Sequence, residues 1–466
     1  MTDGMWVGQE AHGGTPSDGL PNRTESPRWR LEDVWGTSRP YHPTVSPDGS
    51  TVAFILDHEG TTDLWVTDLE GGLARLTTDR ALTAYWEDAA PVWAPDNDQI
   101  AYNSAGWVYV VSAVSGIKRQ LIEGAAGVWL DEKRLLVVIE RDEHSWLAAV
   151  DIENPEPRPL GPAEGDVVDP QLVDDGTVLV TFLPKDDLNR SDIVLIGKDG
   201  TWVTPVGHRD RRADSARPFG DQVAYVFEDE DRFSLYLTGL DGSEPRRLAS
   251  GDVDFGAPAW LPDGKGLVAK ASNRGQTDLL TVDLDGSVAV LARGGVWGAP
   301  HPVAAGVVAT HESWGSPTRL KLVDHDGGER WLFDGAPLAI RRARHVVPER
   351  VTYKSLDGLE IEGFLSSRLI PHGGFRQWSM PMAGPPIIPA TTGMGRPSIS
   401  SRTVMAGSPS TSAGRLHTAW SSSEQTTATA GLVTPVTVSP PVSSSAVWIG
   451  WTPIELPSSA PATAPI

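Results

Sequence analysis

The chain has no cysteine among its 466 residues. That excludes a disulfide framework, a thiolate nucleophile and any Cys-ligated metal. No apolar run approaches the roughly 18–20 residues that span a bilayer. Basic residues are scarce, with 39 Lys and Arg against 61 Asp and Glu and a net charge of −22. Such a surface repels nucleic acid and anionic membranes, so neither is an expected partner. A Gly-x-Ser-x-Gly nucleophile elbow is missing throughout. Met1 to Arg28 is rich in Gly, Pro and polar residues and lacks a charged-then-apolar signal pattern. It is expected to be a flexible leader (1–28) on a cytoplasmic protein.

What the chain does have is repetition. From about Arg30 to Pro337 a pattern recurs every 40–48 residues or so, the length of a four-stranded unit. The first copy runs Pro43-Thr-Val-Ser-Pro-Asp-Gly49, then Thr51–Leu56, Thr62–Asp68 and Leu73–Thr77. Later copies open at Pro91-Val-Trp93, Val128-Trp-Leu130, Pro170-Gln-Leu172, Pro218-Phe219, Pro258-Ala-Trp260 and Pro300-His-Pro302. Each is followed by β-branched and aromatic strands separated by turn signals. Asp-Gly steps at Asp48, Asp199, Asp241, Asp263, Asp285 and Asp326 suit hairpins, because Gly accepts positive φ without steric cost. A four-stranded unit cannot bury both faces alone, whereas radial stacking covers each sheet with its neighbours. The pattern predicts an all-β fold, a seven-bladed β-propeller over 29–338. Trp65, Trp93, Trp129, Trp260 and Trp331 recur within the units and are expected to pack between sheets.

The Ser-Pro-Asp-Gly, Pro-x-Trp and Asp-Leu-Trp-Val elements resemble the propeller of the prolyl oligopeptidase family of serine peptidases, in its acylaminoacyl-peptidase and dipeptidyl-peptidase branches. Tol-type propellers use similar blades. The segment ERVTYKSLDGLEIEGFL at 349–365 reads as a hairpin around Asp357-Gly358, with Val351 and Tyr353 pairing with Ile361, Gly363 and Leu365. Straight after a propeller, it is similar to the opening hairpin of that family's α/β-hydrolase domain, here 345–366. The resemblance covers about residues 29–365. It implies acyl transfer from short or acylated peptides by a Ser-His-Asp triad, with no cofactor and with the propeller admitting short peptides only.

Beyond Leu365 the character changes. Through Ile466 there is no Asp or Lys, the only acids are Glu424 and Glu455, and neither strand nor helix periodicity is sustained. Composition alone reads as a disordered Ser/Thr/Pro-rich tail over 367–466, yet Trp378, Trp420, Trp448 and Trp451 are unusual for such a segment. A one-base shift in reading frame accounts for both features. Trp and Met have single codons, so Met380-Pro381 forces Ala, Met382-Ala383 forces Gly, and Trp448-Ile449 and Trp451-Thr452 each force Asp. Ser379 to Pro386 then permits YAHGGPT, Thr403 to Gly414 permits GYGWLAVNFRGS, and Trp448 to Pro465 permits DWVDPDRIAIFGASYGSY. These are similar to the family's oxyanion-hole turn, its central region and its nucleophile elbow, in family order. The shift is expected between about Ser366 and Gly374.

On this reading the chain carries no catalytic, cofactor-binding or metal-binding residue. It stops at the would-be elbow, before the family's later Asp and His, and is expected to be inactive. His372-Gly373-Gly374 imitates an oxyanion-hole turn but lacks the strand that should precede it. Glu228-Asp-Glu-Asp231 reads as a solvated loop, and His301, His311 and His325 lack metal-ligand spacing. Glu87 and Asp88 fall in an inter-blade loop that could meet a substrate. Self-association through an uncovered propeller face is expected. The alternative is a stand-alone Tol-type protein-binding propeller with a Ser/Thr/Pro-rich tail.

Overall fold

The computed structural model describes residues 30–79, 90–141, 144–161, 165–174, 176–187, 189–229, 232–343 and 345–365. They fall into two units, one through Val347 and one from Pro348. The leader (1–28) and the segment 367–466 lie outside the described residues, as do Glu87, Asp88, Glu230, Asp231 and His372-Gly373-Gly374.

Among the described residues the first unit is all-β apart from two five-residue helices, α1 (Leu31–Trp35) and α2 (Leu338–Arg342). Its first sheet is β1 (Arg39–Val45), β2 (Thr51–His58), β3 (Thr61–Asp68) and β4 (Leu73–Arg75). The second is β5 (Val92–Trp93), β6 (Gln99–Ser104), β7 (Trp107–Ser112) and β8 (Lys118–Glu123). The third is β9 (Ala125–Trp129), β10 (Arg134–Arg141), β11 (His144–Asp151) and β12 (Arg158–Leu160). The fourth is β13 (Gly165–Asp174), β14 (Thr177–Pro184), β15 (Asp192–Ile196) and β16 (Trp202–Val206). The fifth is β17 (Ala213–Phe219), β18 (Gln222–Asp229), β19 (Arg232–Gly239) and β20 (Arg246–Ala249). These five sheets are separate antiparallel meanders.

The remaining strands do not split into two more independent sheets. Strands β21 (Asp254–Trp260), β22 (Gly266–Asn273), β23 (Gln276–Asp283) and β24 (Val288–Ala292) share one nine-stranded sheet with β26 (His301–Val303), β27 (Gly306–Ser313), β28 (Ser316–Val323) and β29 (Glu329–Phe333). The join is β25 (Val296–Trp297), which pairs parallel to β23 at Thr277 and antiparallel to β27 at Glu312 and His311. The expectation of seven separate blades therefore meets five, plus this fused sheet. Gly295 permits the join: its φ is +67°, and a Cβ there would lie 2.2 Å from the Glu312 carbonyl oxygen.

Core formation follows strand alternation. On β2, Val52, Phe54 and Leu56 join Val303, Val308, Leu320 and Leu322 of the last strands. The intervening Ala53 and Ile55 join Trp93, Ile100 and Tyr102 of the second sheet. Similar clusters link each sheet to the next around the ring. First strands make the same circuit, β1 meeting β5, then β9, β13, β17, β21 and β26, which returns to β1. The arrangement is propeller-like, and the first strands surround its centre.

Two sequence motifs acquire inter-sheet roles. In Pro-x-Trp, and at the corresponding Trp129 of Gly127-Val-Trp129, the indole N–H donates to the preceding sheet: Trp93 to Thr44 O (3.3 Å), Trp129 to Val92 O (3.0 Å) and Trp260 to Arg217 O (2.8 Å). Each acceptor lies on a first strand, so these bonds tie sheets together close to the centre. Burial of the tryptophans between sheets is as expected for Trp93 and Trp129, which are 8% and 2% exposed. Trp331 instead carries the Arg319 guanidinium, 4.4 Å from its ring centre. The Asp-Gly turns all have positive φ at glycine, and some also press on the preceding sheet. A Cβ on Gly242 would lie 2.4 Å from Pro205 O, whereas nothing lies within 4 Å of one on Gly200.

The second unit is a hairpin of β30 (Glu349–Lys354) and β31 (Glu360–Leu365). Its register pairs Val351 with Gly363 and Tyr353 with Ile361. The turn closes through Ser355 N–H to Leu359 O (2.8 Å), with Gly358 at φ +83°.

Gly242 and Gly200 share a backbone conformation (φ +81° and +82°) but not an environment. Gly200→Ala is expected to cost about 1 kcal/mol from backbone strain alone. Gly242→Ala should cost about 2–3 kcal/mol more, because the sheets must separate. Urea denaturation of both variants measures the difference, and equal losses would refute the inter-sheet account.

Candidate functional site

First strands depart from regular pairing at corresponding places. Register shifts occur at Tyr41/Thr44, Val168/Gln171, Asp214/Arg217 and Gly256/Ala259. Each bulge holds one residue in the left-handed region: His42 (φ 47°), Asp169 (51°), Ser215 (52°) and Ala257 (43°). Pro43, Pro170 and Pro258 follow three of them, and a proline leaves no N–H unpaired at a bulge. Bulges re-aim side chains. Here they stand on the strands nearest the centre.

The fourth and fifth sheets place charge at these bulges. Arg217 Nη1 donates to Asp169 Oδ2 at 2.6 Å and to Ala216 O at 2.8 Å. Gln171 Nε2 donates to Asp169 Oδ1 at 2.9 Å. The Arg217 and Asp169 side chains are 29% and 24% exposed, so the pair contributes at most about 1 kcal/mol to stability. Its importance is positional, since it spans adjacent first strands beside the central opening.

Two further groups adjoin it. Asp214 is buried and accepts a hydrogen bond from Ser215 Oγ at 3.0 Å. Burial pushes its carboxyl up to about 7, despite Ser215 and the charges of Arg212 and Arg217. His301, on β26, follows Pro300 as Gln171 follows Pro170. Its side chain keeps partial access to solvent, yet desolvation and the charge of Arg217 lower its pKa to about 4. Strand β21 separates β17 from β26 in the ring and offers only Ala259 at this level. The charge of Arg217 reaches His301 although β21 lies between their strands. Together Asp169, Gln171, Asp214, Arg217 and His301 form a polar set with a neutral imidazole and a partly exposed arginine side chain. The chemistry this set supports is the binding of a polar or anionic group.

The other sequence candidates fall elsewhere. Glu228 pairs with Arg212 at 3.7 Å, and Asp229 accepts from Tyr236 Oη (2.9 Å) and Arg247 Nη1 (2.7 Å). Those bonds hold the Asp229 carboxyl below its ordinary range and make this half of the acidic cluster a strand-end brace. His311 is buried against Trp297 at 4.3 Å, with Nε2 bonded to Gly294 O at 2.9 Å, and burial lowers its pKa to about 3. His325 Nε2 meets Ala304 O at 3.1 Å. The three histidines are not brought together. An open hollow of about 510 Å³ is lined by the turn residues Asp174, Thr177, Gly197, Lys198 and Asp199, away from the cluster. Sequence reasoning passed over Asp169, Asp214 and Arg217. A usable signal existed, because Arg217 puts a charge where Thr44, Val92, Val128 and Ala259 stand in other units.

No protein-family model matches the chain. The peptidase YuxL of Bacillus subtilis (strain 168), itself uncharacterized, is 24% identical over 396 residues, 78% of this chain and 57% of that protein. Among solved structures, a puromycin-hydrolyzing peptidase of Mycobacterium tuberculosis matches with a TM-score of 0.64 at 14% identity, covering 76% of this chain and 62% of that one. The acylaminoacyl peptidase of Pyrococcus horikoshii matches with a TM-score of 0.55 at 18% identity, covering 74% and 60%. These similarities show the fold, and all three relatives are peptidases. The acylaminoacyl peptidase represents a branch of the family that the blades resemble. The chain spans 57% of the length of its curated relative YuxL.

Asp214 makes stability depend on pH. The folded carboxyl titrates at about 7 against an ordinary 3.8, so the folded state holds its proton more tightly. Stability is fully present below the lower value and is lost as pH rises to the higher one, by about 4 kcal/mol in all. Asp214→Asn should therefore melt higher than wild type at pH 8 and nearly level with it at pH 4. Calorimetry at both pH values checks this, and a gain of equal size at both would refute it.

Proposed function

We propose that the first unit is a seven-bladed propeller acting as the substrate-gating part of a serine peptidase for short or acylated peptides. One observation carries this reading: similarity to a peptidase extends over 78% of the chain, well beyond any single blade. The hairpin at 349–365 supports it, because its register matches the pairing expected for the entrance to a hydrolase domain. In the intact enzyme a Ser attacks the scissile carbonyl and a His takes its proton. An Asp orients that His, and backbone N–H groups hold the oxyanion. A propeller over such a site admits a flexible short peptide and excludes a folded protein.

On this reading the chain carries none of those groups. The proposed reason is a one-base shift between about Ser366 and Gly374, supported by the residues forced at Met380-Pro381, Met382-Ala383, Trp448-Ile449 and Trp451-Thr452. Sequencing the gene through the codons for Trp448 to Pro465 is expected to give the elbow in the neighbouring frame; any other reading there refutes the shift. The purified chain should leave acyl-aminoacyl and aminoacyl p-nitroanilides uncleaved above buffer background. Measurable turnover would overturn the inactivity. A propeller face without its catalytic domain should also self-associate. Sedimentation velocity should show weight-average mass rising with concentration, and a constant monomer mass would contradict this.

A further inference from the structure

The central cluster has a feature that its internal bonds leave unused. Arg217 is held at Nη1 by Asp169 and Ala216, while Nε and Nη2 have no partner among the described residues. Those two nitrogens form one edge of the guanidinium, the geometry that meets a carboxylate through two parallel hydrogen bonds. His301, whose pKa is lowered to about 4, is neutral at ordinary pH and carries one ring N–H. Neither of its ring nitrogens has a partner among the described residues. The Arg217 side chain is 29% exposed, so solvent reaches part of it.

We propose that Arg217, assisted by His301, binds a carboxylate within the central opening, and that the natural ligand is the C-terminal carboxylate of a short peptide. The peptide part of this assignment rests on the function proposed above; the carboxylate part does not. Several observations favour a carboxylate over a bulkier anion. Arg217 already holds one carboxylate, that of Asp169, on its other edge. Asp169 and the partly ionised Asp214 add negative charge nearby, met among the described residues by Arg217 and by Arg212, which is itself paired with Glu228. A single-charged planar ligand suits this balance, and a dianionic phosphate does not. Asp169 also limits affinity, because it draws on the charge the ligand needs.

Titration calorimetry on the full chain tests the assignment with N-acetyl-Ala-Ala, its C-terminal amide and acetate. The free acid is expected to bind at least about tenfold more tightly than the amide, the size of a charge-assisted pair. Arg217→Gln should abolish that preference. Asp169→Asn, which releases the guanidinium from its internal partner, should strengthen binding of the acid. Acetate binding as well as the peptide acid would assign the site to small carboxylic acids in general; tighter peptide binding would assign it to a peptide terminus. Equal affinity for acid and amide, no binding of either, or an unchanged preference in Arg217→Gln overturns the proposal. Should Arg217→Gln fail to fold, the opposite-signed effect of Asp169→Asn still decides. Because the readout is binding, its failure leaves the peptidase reading to stand or fall on sequencing and hydrolysis.

Discussion

Every sheet of the first unit is apolar on both faces, and the rest of the structure follows from covering them. Successive residues of β2 show the demand: Val52, Ala53, Phe54 and Ile55 are all fully buried although they point alternately to opposite sides. Each such side chain contributes roughly 1.5–3 kcal/mol on burial. A single meander would leave one whole face in water. Only a closed circuit leaves none, which is why the first sheet packs against β27 and β28 at the far end of the first unit.

Closure also explains where the polar exceptions sit. Away from the centre, sheets meet through apolar clusters and through glycine turns that press on a neighbour's backbone. Near the centre, first strands bulge. The bulges raise Asp169, Asp214 and Arg217 out of the alternation that would have required apolar side chains there. Three indole N–H groups satisfy carbonyls at the same level, so the backbone around the opening is fixed while the side chains stay partly open. A rigid frame with a partly exposed arginine side chain is a setting for binding.

Much of the frame was legible beforehand because its causes are local. Asp-Gly turns, strand alternation and Pro-x-Trp recur at fixed offsets, and the structure uses them as turns, cores and inter-sheet bonds. The fusion through β25 was not legible: two residues, Val296 and Trp297, give no periodicity, and their parallel pairing with β23 rests on one opposed pair. Nor was the central cluster. Asp169 and Arg217 stand 48 residues apart, and nothing local marks either as the other's partner. Spacing along the chain cannot tell that the charge of Arg217 reaches His301 while His311 lies sealed against Trp297.

The sequence by itself determined that this chain is all-β, repetitive and built from meanders that must cover one another, because turn chemistry and two-residue alternation act over a few bonds. Its single-codon residues support the displaced reading frame proposed after Leu365. Tertiary structure alone decided which polar residues meet. Closure of the ring sets that distance, so strands remote in sequence bring Asp169, Arg217 and His301 around one opening.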